Sequence, residues 1–494
     1  MSGATPVDSE AAPADAAPAS SDPVKRLVPW LVAVAFFMES LDTTILNTAV
    51  PTVAAALKIA PLSMKSVLSS YTLSVAVFIP VSGWVADRFG TRRVFSAAIG
   101  IFTLGSLLCG LSQSIHMLVL CRILQGAGGA MMVPVGRLTM VRTFPRSELV
   151  RAMAYVAIPS LVGPMLGPLA GGLIVKWLHW RLIFLLNLPF GAVGLFLVYR
   201  NLPDYRAERS DPLDVVGLIL FGVGVALLSY VLEVFGEHFL SGAAIAGLLV
   251  LSLALLFAYG RHAVTTLHPL LRLGLLRLRT FRTAILGSFI TRMGVGGMPF
   301  LLPLLFQVGL GFSPVQSGLL ILPQSVASMS LRMTMPRLLR RFGYRRVLLT
   351  NTVCIGAIIA SFSLVAPGTP PALIVALEFC FGFFSSFQYT SMNTLVYADV
   401  AADDTSMAST IASTSQQLSL SFGVATASLT AAFFIPDRFR ADASQIIHGI
   451  HRACLTLGAL TILSTLLFRA LKESDGQSVS QHEVSQHEVS LPAS

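Results

Sequence analysis

The chain has 494 residues, of which 54% are hydrophobic and only 12% charged, and its mean hydropathy is +0.75. Soluble globular domains do not have this composition, so the sequence predicts an all-α integral membrane protein. The formal net charge of +10 could suggest nucleic acid as a partner, but the positions of the basic residues indicate a lipid bilayer instead.

Fourteen mainly apolar runs of about 20 residues follow one another along the chain, each long enough to cross a membrane. In lipid such runs must be helical, because no water is available to satisfy an open backbone. The predicted transmembrane helices are 28–50, 67–86, 93–113, 116–138, 152–175, 182–200, 214–234, 241–260, 283–308, 315–335, 347–366, 371–397, 407–435 and 449–470.

The basic residues predict which way the chain crosses the membrane. If the N-terminus is cytoplasmic, 23 of the 34 Lys and Arg residues fall on the cytoplasmic side and 7 on the outer side, and the other four lie within the runs. Cytoplasmic loops of membrane proteins carry such an excess of Lys and Arg. We therefore expect both termini in the cytoplasm.

Two loops between apolar runs are nearly identical. Asp87–Val94 and Arg340–Val347 share six of eight residues, and duplicated units of this kind build many transporters. The repeat predicts the major facilitator fold, with two six-helix halves and two inserted helices between them. The predicted parts are a disordered tail at 1–26, a first half at 27–200, a linker with two extra helices at 201–280, a second half at 281–472 and a disordered tail at 473–494.

The first run contains acidic residues that are expensive to place in a membrane. Glu39 and Asp42 share one helical face, and Asn47 follows them. Two carboxylates so close in a low dielectric would not both ionise readily, so at least one is expected to take up a proton. The alternative is a static hydrogen-bonded or ion-paired group that holds this helix in the bundle.

Further ionisable residues lie in later runs. Arg122 and Gln125 lie in the fourth run, and Asp42 or Glu39 is the expected partner of Arg122. In the second half, Glu378 aligns with Arg122. Glu378 is expected to contact a cationic substrate, to bind a second proton, or to pair with Arg292.

The fifth run has an unusual density of Gly and Pro. Small residues four apart allow helices to approach closely in membranes, and Pro bends a helix. This pattern favours a kinked gating helix over a helix that is only tightly packed. The residues are Gly163, Pro164, Gly167, Pro168, Gly171 and Gly172.

Four motifs resemble one known family. The loop Gly83–Arg93, the first-run motif Leu41–Pro51, the fourth-run motif Arg122–Ala130 and the fifth-run motif Gly163–Gly172 are similar to those of the fourteen-span drug:proton antiporters of the major facilitator superfamily. The similarity covers about residues 27–472 and is greatest to bacterial inner-membrane multidrug-resistance permeases.

The resemblance implies a function and a location. It implies alternating access, with proton-coupled export of small amphiphilic compounds across the bacterial cytoplasmic membrane by a monomer. It implies no enzymatic activity, no metal and no cofactor, with protons as the coupling ion. A dedicated exporter of a polar metabolite, such as an organic acid, is the first alternative, and a transport-dead sensor is the second.

The resemblance also assigns residues. It ties the motif that begins at Arg122 to proton transfer, and the buried charges themselves predict that Asp42, Glu39 and Arg122 couple protons. The predicted residues of the substrate cavity are Asn47, Gln125, Arg292 and Glu378. In the family the acid of the loop motif, here Asp87, closes the cytoplasmic side through a helix end of the other half and basic neighbours. The cytoplasmic gate would comprise Gly83, Asp87, Arg88, Gly90 and Arg92.

Overall fold

The computed structural model describes residues 23–207, 212–235, 240–330, 335–435 and 442–476. Over these residues the chain forms fourteen long helices and no strand, which confirms the predicted all-α fold. The helices are α1 (Pro23–Ala56), α2 (Lys65–Phe89), α3 (Thr91–Leu111), α4 (Ile115–Thr143), α5 (Arg146–Trp177), α6 (Leu182–Asn201), α7 (Val215–Val234), α8 (Gly242–Thr265), α9 (Arg279–Gly309), α10 (Pro314–Ser330), α11 (Met335–Ser361), α12 (Pro371–Leu395), α13 (Thr405–Phe433) and α14 (Ala443–Phe468).

Eleven of these helices are long and apolar enough to cross a membrane by themselves. The other three are α5, α10 and α13, and all of them pack against the other half of the protein. Within the described residues, α5 contributes the apolar stretch Leu161–Trp177, and α10 is described over Pro314–Ser330. Helix α13 is rich in Ser and Thr, and a helix that faces protein rather than lipid needs fewer apolar side chains.

Successive helices reverse direction, so their turns fall on two sides of the bundle. We call one side the termini face, because it carries the start of α1 and the end of α14. The turn at Gly90 between α2 and α3 also lies there. The other side is called the opposite face, and it carries the turns between α1 and α2 and between α9 and α10.

Both copies of the repeated loop turn at the same glycine. Gly90 has φ +96° and Gly343 has φ +72°, a region that favours glycine because it has no Cβ. A Cβ on Gly90 would also lie 2.8 Å from the carboxyl carbon of Asp204. The first loop is therefore packed against residues 203–207, which follow α6, and Thr91 N donates to Tyr205 O at 3.0 Å.

The inserted helices α7 and α8 lie beside the seam between the halves. Helix α7 packs against α2 of the first half and α13 of the second. Lys65 Nζ donates to the carbonyl oxygen of Glu233 at 2.7 Å, and the Ser69 hydroxyl bonds its carboxylate. Helix α8 packs on α7, where Ser252 Oγ donates to Gly224 O at 2.8 Å.

Asp214 joins the termini-face ends of this inserted pair. Its carboxylate accepts from the backbone N–H groups of Gly217 at 2.8 Å and Leu270 at 3.0 Å, and it lies 2.7 Å from His262 Nε2. Burial disfavours its charge, yet the hydrogen bonds from His262 and the two amides hold the pKa of Asp214 below its ordinary value. The inserted pair is thus joined to the chain that leads into the second half.

The apolar cores show how the two halves meet. Toward the opposite face, one shared core contains Ile45 and Val53 of the first half together with Leu301 and Ile450 of the second. Toward the termini face, the first half has its own core and the second half another, which the inserted helices and Val81 of α2 join.

The structure corrects two predicted boundaries. Helix α1 begins at Pro23, inside the segment 1–26 that we expected to be disordered. Residues 473–476 are also ordered, because Asp475 pairs with Arg279 at 2.5 Å and Glu473 pairs with Arg346 at 3.2 Å. The rest of both predicted tails, 1–22 and 477–494, lies outside the described residues.

Candidate functional site

Asp42 is the centre of a buried polar network in the first half. Arg122 Nη1 lies 2.5 Å from Asp42 Oδ2, and both side chains are at most 1% exposed. The amides of Gln125 and Asn187 donate to Asp42 Oδ1 at 2.9 and 3.0 Å. One cation and two amide donors from α4 and α6 thus compensate for the removal of this carboxylate from water.

Other groups hold Arg122 in place. Its Nη1 also donates to Gln125 Oε1 at 2.8 Å, and the Tyr71 ring lies 4.3 Å from its guanidinium carbon. Gly126 permits this arrangement, since a Cβ there would lie 2.7 Å from Tyr71 O. The Asn187 amide additionally donates to Ser106 Oγ at 3.0 Å.

Of the two partners expected for Arg122, the structure shows Asp42, 80 positions earlier in the chain and at mid-depth on α1. Sequence reasoning missed Tyr71, Ser106 and Asn187. Of these, Asn187 had a usable signal, because it is the one amide side chain in an otherwise apolar stretch at 182–198.

Glu39 and Asn47 lie outside this network. Both side chains are partly exposed, and Glu39 Oε2 has no hydrogen-bond partner among the described residues. Asp42 instead takes its donors from α4 and α6. The two carboxylates share a helical face, as predicted, but they do not form a hydrogen-bonded pair.

The second half places its ionisable residues differently. Arg292 donates to Ser288 Oγ at 2.9 Å and to Asn393 Oδ1 at 3.1 Å, and it stacks on the Tyr389 ring at 3.9 Å. Glu378 is fully buried, and neither of its carboxylate oxygens has a hydrogen-bond partner among the described residues. The alternative in which Glu378 pairs with Arg292 is therefore wrong. Tyr389 lies 11 residues after Glu378, about 16 Å along the helix.

Hydrogen bonds between the halves lie near the opposite face and at mid-depth. Gln307 Nε2 donates to Thr48 O at 2.8 Å, and Ser428 Oγ donates to Leu62 O at 3.2 Å. At mid-depth, the Ser325 hydroxyl donates to Pro164 O at 3.2 Å. Together with the shared core, these contacts close the bundle at the opposite face.

Comparison with known proteins is consistent with this architecture. A family model described as Major Facilitator Superfamily matches residues 32–424. The chain belongs to the major facilitator superfamily. It is therefore a multi-pass membrane protein of a transporter superfamily, as its resemblance implied.

Two relatives of this superfamily member come from bacteria. A protein of Serratia proteamaculans named "Putative multidrug resistance protein MdtD" is 40% identical over 439 residues, which cover 89% of this chain and 92% of that protein. The protein of the same name from Salmonella typhi is 39% identical over 450 residues, covering 91% of this chain and 96% of its own.

Solved transporter structures share the fold. A bacterial homolog of the human lysosomal transporter Spinster, in an inward-facing and occupied conformation, has a TM-score of 0.66 at 14% identity and covers 91% of this chain and 97% of its own. The POT family transporter PepTSo has a TM-score of 0.68 at 15% identity, covering 93% and 99%. The predicted major facilitator fold is thereby confirmed.

The superfamily loop motif contacts its own half in this conformation. Asp87 Oδ1 lies 2.6 Å from Arg142 Nη2 at the end of α4. Gly83 is exposed, and a Cβ there would meet no atom within 4 Å. Arg88 is exposed as well, and Arg92 N donates to Asp204 Oδ1 at 3.2 Å. The expected closure of Asp87 against the other half is not observed in this conformation, because Asp87 pairs with Arg142 of its own half.

The glycines of α5 lie at two interfaces. Side chains at Gly163, Gly167 and Gly171 would overlap Ser40, Thr44 and the backbone of Ile45 in α1. Gly172 instead faces α10 of the other half, and a Cβ there would lie 2.9 Å from the carbonyl carbon of Pro314. Pro164 and Pro168 lie on this same seam, where a Cβ on Gly318 would lie 2.5 Å from Pro168 O. The gating role of this helix stays a prediction.

Proposed function

We propose that this transporter exports small amphiphilic compounds across the bacterial cytoplasmic membrane in exchange for protons. The observation that carries the proposal is the buried ion pair of Asp42 with Arg122. The names of the MdtD relatives support multidrug substrates and do not favour a dedicated metabolite exporter. Membership of the major facilitator superfamily lends no support to an enzymatic role.

Proton binding at Asp42 would change the contacts between α1 and α4. A proton on this carboxylate neutralises it and removes its attraction for Arg122. Arg122 would then keep Gln125 Oε1 and the Tyr71 ring as partners. Because breaking a buried pair costs about 3–5 kcal/mol, the protonated and ionised forms would favour different packings of the first half.

The excess of Lys and Arg supports a cytoplasmic termini face, with both termini in the cytoplasm. The conformation described above, with its shared core toward the opposite face, would then be closed to the outside. An exporter takes up its substrate while its outer side is closed. Alternation with the reverse state would carry the substrate out and the proton in, by a single chain acting as a monomer.

The substrate would bind between the halves at mid-depth. Asn47, Gln125, Arg292 and Glu378 remain our candidates for this cavity. Gln125 would connect substrate binding to proton binding, because its amide donates to Asp42. Glu378 is fully enclosed in this conformation, so it would meet substrate only after a rearrangement of α12.

Substitution of Asp42 by Asn tests the proposal. Purified protein in liposomes with an imposed pH gradient is supplied with a fluorescent amphiphilic cation such as ethidium, and its movement is followed by fluorescence. We expect Asp42→Asn to reduce proton-driven transport to background, because Asn cannot release a proton, while the protein remains folded and inserted.

The control is Asp442→Asn, since Asp442 is exposed and Asn caps a helix equally well. Wild-type rates in Asp42→Asn would falsify the coupling role. Transport of a carboxylate anion, without transport of any amphiphilic compound, would support the metabolite exporter instead.

A further inference from the structure

Glu378 is buried in an apolar environment near the closed side of the bundle. Ile374 and Phe381, one turn away on either side in α12, belong to the core that both halves share. The Phe381 ring packs edge-on against Phe362 at a centroid distance of 6.1 Å. Glu378 is 0% exposed, and both of its carboxylate oxygens lack a hydrogen-bond partner within the described chain.

No described charge faces this carboxyl from the helices packed against α12, which are α9, α10 and α11. Arg292 of α9 is turned to Tyr389 and Asn393. Helix α10 contains no titratable residue, and α11 offers only Cys354 within its middle. The other described titratable groups lie at the termini-face ends of α9 and α11 or on α12 itself: Arg279, Arg282, Arg341, Tyr344, Arg345, Arg346, Cys380 and Tyr389.

The repeat accounts for the missing partners. Arg122 and Glu378 occupy equivalent positions, at an offset of 256 residues. The same offset relates Gln125, which bonds both members of the first ion pair, to Phe381. The second half thus keeps an ionisable residue but replaces a neighbouring donor with an apolar ring.

An ionised carboxylate without donors is very costly in such an environment, whereas a protonated carboxyl can be accommodated. We propose that Glu378 is a second proton-binding site, and that it must be protonated before the opposite face can close. The inference rests on the proposed function only in assuming that the opposite face opens and closes during transport.

The direction of the proton follows from the geometry. When the shared core separates, water from the opposite face reaches α12 and Glu378 can ionise. When the core closes, water is expelled and the carboxyl retains a proton taken from that side. The proton returns to the same side on reopening, so Glu378 controls closure without adding to the protons carried across.

Spin labels at the opposite-face ends of two helices test this inference. Leu178 follows α5 and is 59% exposed, and Leu364 follows α11 and is 78% exposed. Both are replaced by spin-labelled Cys in a variant that lacks the native cysteines. This variant also carries Asp42→Asn, which removes proton binding at position 42. Electron–electron distances are measured between pH 5 and pH 8, without substrate.

With Glu378 present, we expect the ratio of closed to open molecules to fall as pH rises, by up to about tenfold per pH unit for one proton. The Glu378→Gln and Glu378→Leu variants should be closed at both pH 5 and pH 8, because neither side chain needs a proton. Asp442→Asn serves as the matched control and should keep the dependence on pH.

A pH dependence in Glu378→Gln or Glu378→Leu equal to that of the parent would overturn the inference. So would an open bundle in both variants. Unchanged closure, together with selective loss of ethidium export when Glu378→Gln is made in the protein with Asp42 intact, would assign Glu378 to cation recognition instead. Since the labels report closure without a transported compound, a failure here is distinct from a failure of the proposed efflux function.

Discussion

At the residue scale, two buried carboxyl groups of this protein have different surroundings. Asp42 has one cationic and two amide donors, whereas Glu378 has none among the described contacts. Both were recognisable in the sequence as costly residues within apolar runs. Their neighbours were not, because those neighbours come from helices far apart in the chain.

Asn187 provides a prediction at this scale. Asn187→Leu keeps the number and branching of the side-chain heavy atoms but removes the donors to Asp42 and Ser106. The unpaired buried acceptors should cost about 1–3 kcal/mol of stability, and proton-driven transport should fall. Thermal unfolding in detergent and liposome transport measure the two effects.

The control for this substitution is Asn201→Leu on the same helix, whose amide bonds only Leu197 O one turn earlier. Its effect on stability should stay within about 0.5 kcal/mol. If both variants were equally destabilised, the Asp42 network would have no special importance.

At the scale of helices, the small residues of α5 serve two interfaces. Gly163, Gly167 and Gly171 allow α1 to approach within the first half, while Gly172 allows contact with α10 across the seam. The sequence indicated close packing but not the partners. Gly171 and Gly172 face different helices because successive residues of an α-helix are rotated by about 100° around its axis.

Gly172→Val should therefore oppose closure of the opposite face. The added side chain would press on the backbone of Pro314 and Val315, and overpacking costs about 1–3 kcal/mol. The closed state should be depopulated by about 5- to 150-fold. The distance between labels at positions 178 and 364 measures the shift.

The matched control is Gly247→Val, because a Cβ at Gly247 in α8 meets no atom within 4 Å. It should leave the distance distribution unchanged. A wild-type distribution in Gly172→Val would show that the seam between α5 and α10 does not limit closure.

At the scale of the whole molecule, the core to which both halves contribute many residues lies toward the opposite face, and toward the termini face Val81 of α2 joins the core of the second half. Asp87 correspondingly pairs with Arg142 of its own half, and a Cβ placed on Gly83 would meet no atom within 4 Å. The family motif suggested a closed gate at the termini face. A duplicated sequence is compatible with a bundle that is closed at either face, since the same residues form both conformations.

Covalent connection across the opposite face should stop transport. Gln307 reaches the Thr48 carbonyl oxygen of the other half at 2.8 Å. With Cys at both positions and native cysteines removed, a reducible bifunctional thiol reagent should lock the closed state. Substrate transport in liposomes should fall to background and recover on reduction.

Each single-Cys variant treated with the same reagent is the control and should keep its activity. Full transport in a completely cross-linked sample would mean that the opposite face need not open. The proposed alternation between two states would then be excluded.

The fourteen helices, the duplication and the need of Arg122 for a carboxylate partner followed from the sequence, because apolar length, repeated motifs and the cost of a buried charge are local properties. The structure alone decided for Asp42 as that partner, and it alone showed the hydrogen bonds of Asn187, the lack of donors around Glu378 and the position of the shared core. These depend on which helices become neighbours and on which conformation the halves adopt. Both are decided by packing between segments that are distant in the chain, and hydropathy and spacing carry no record of that packing.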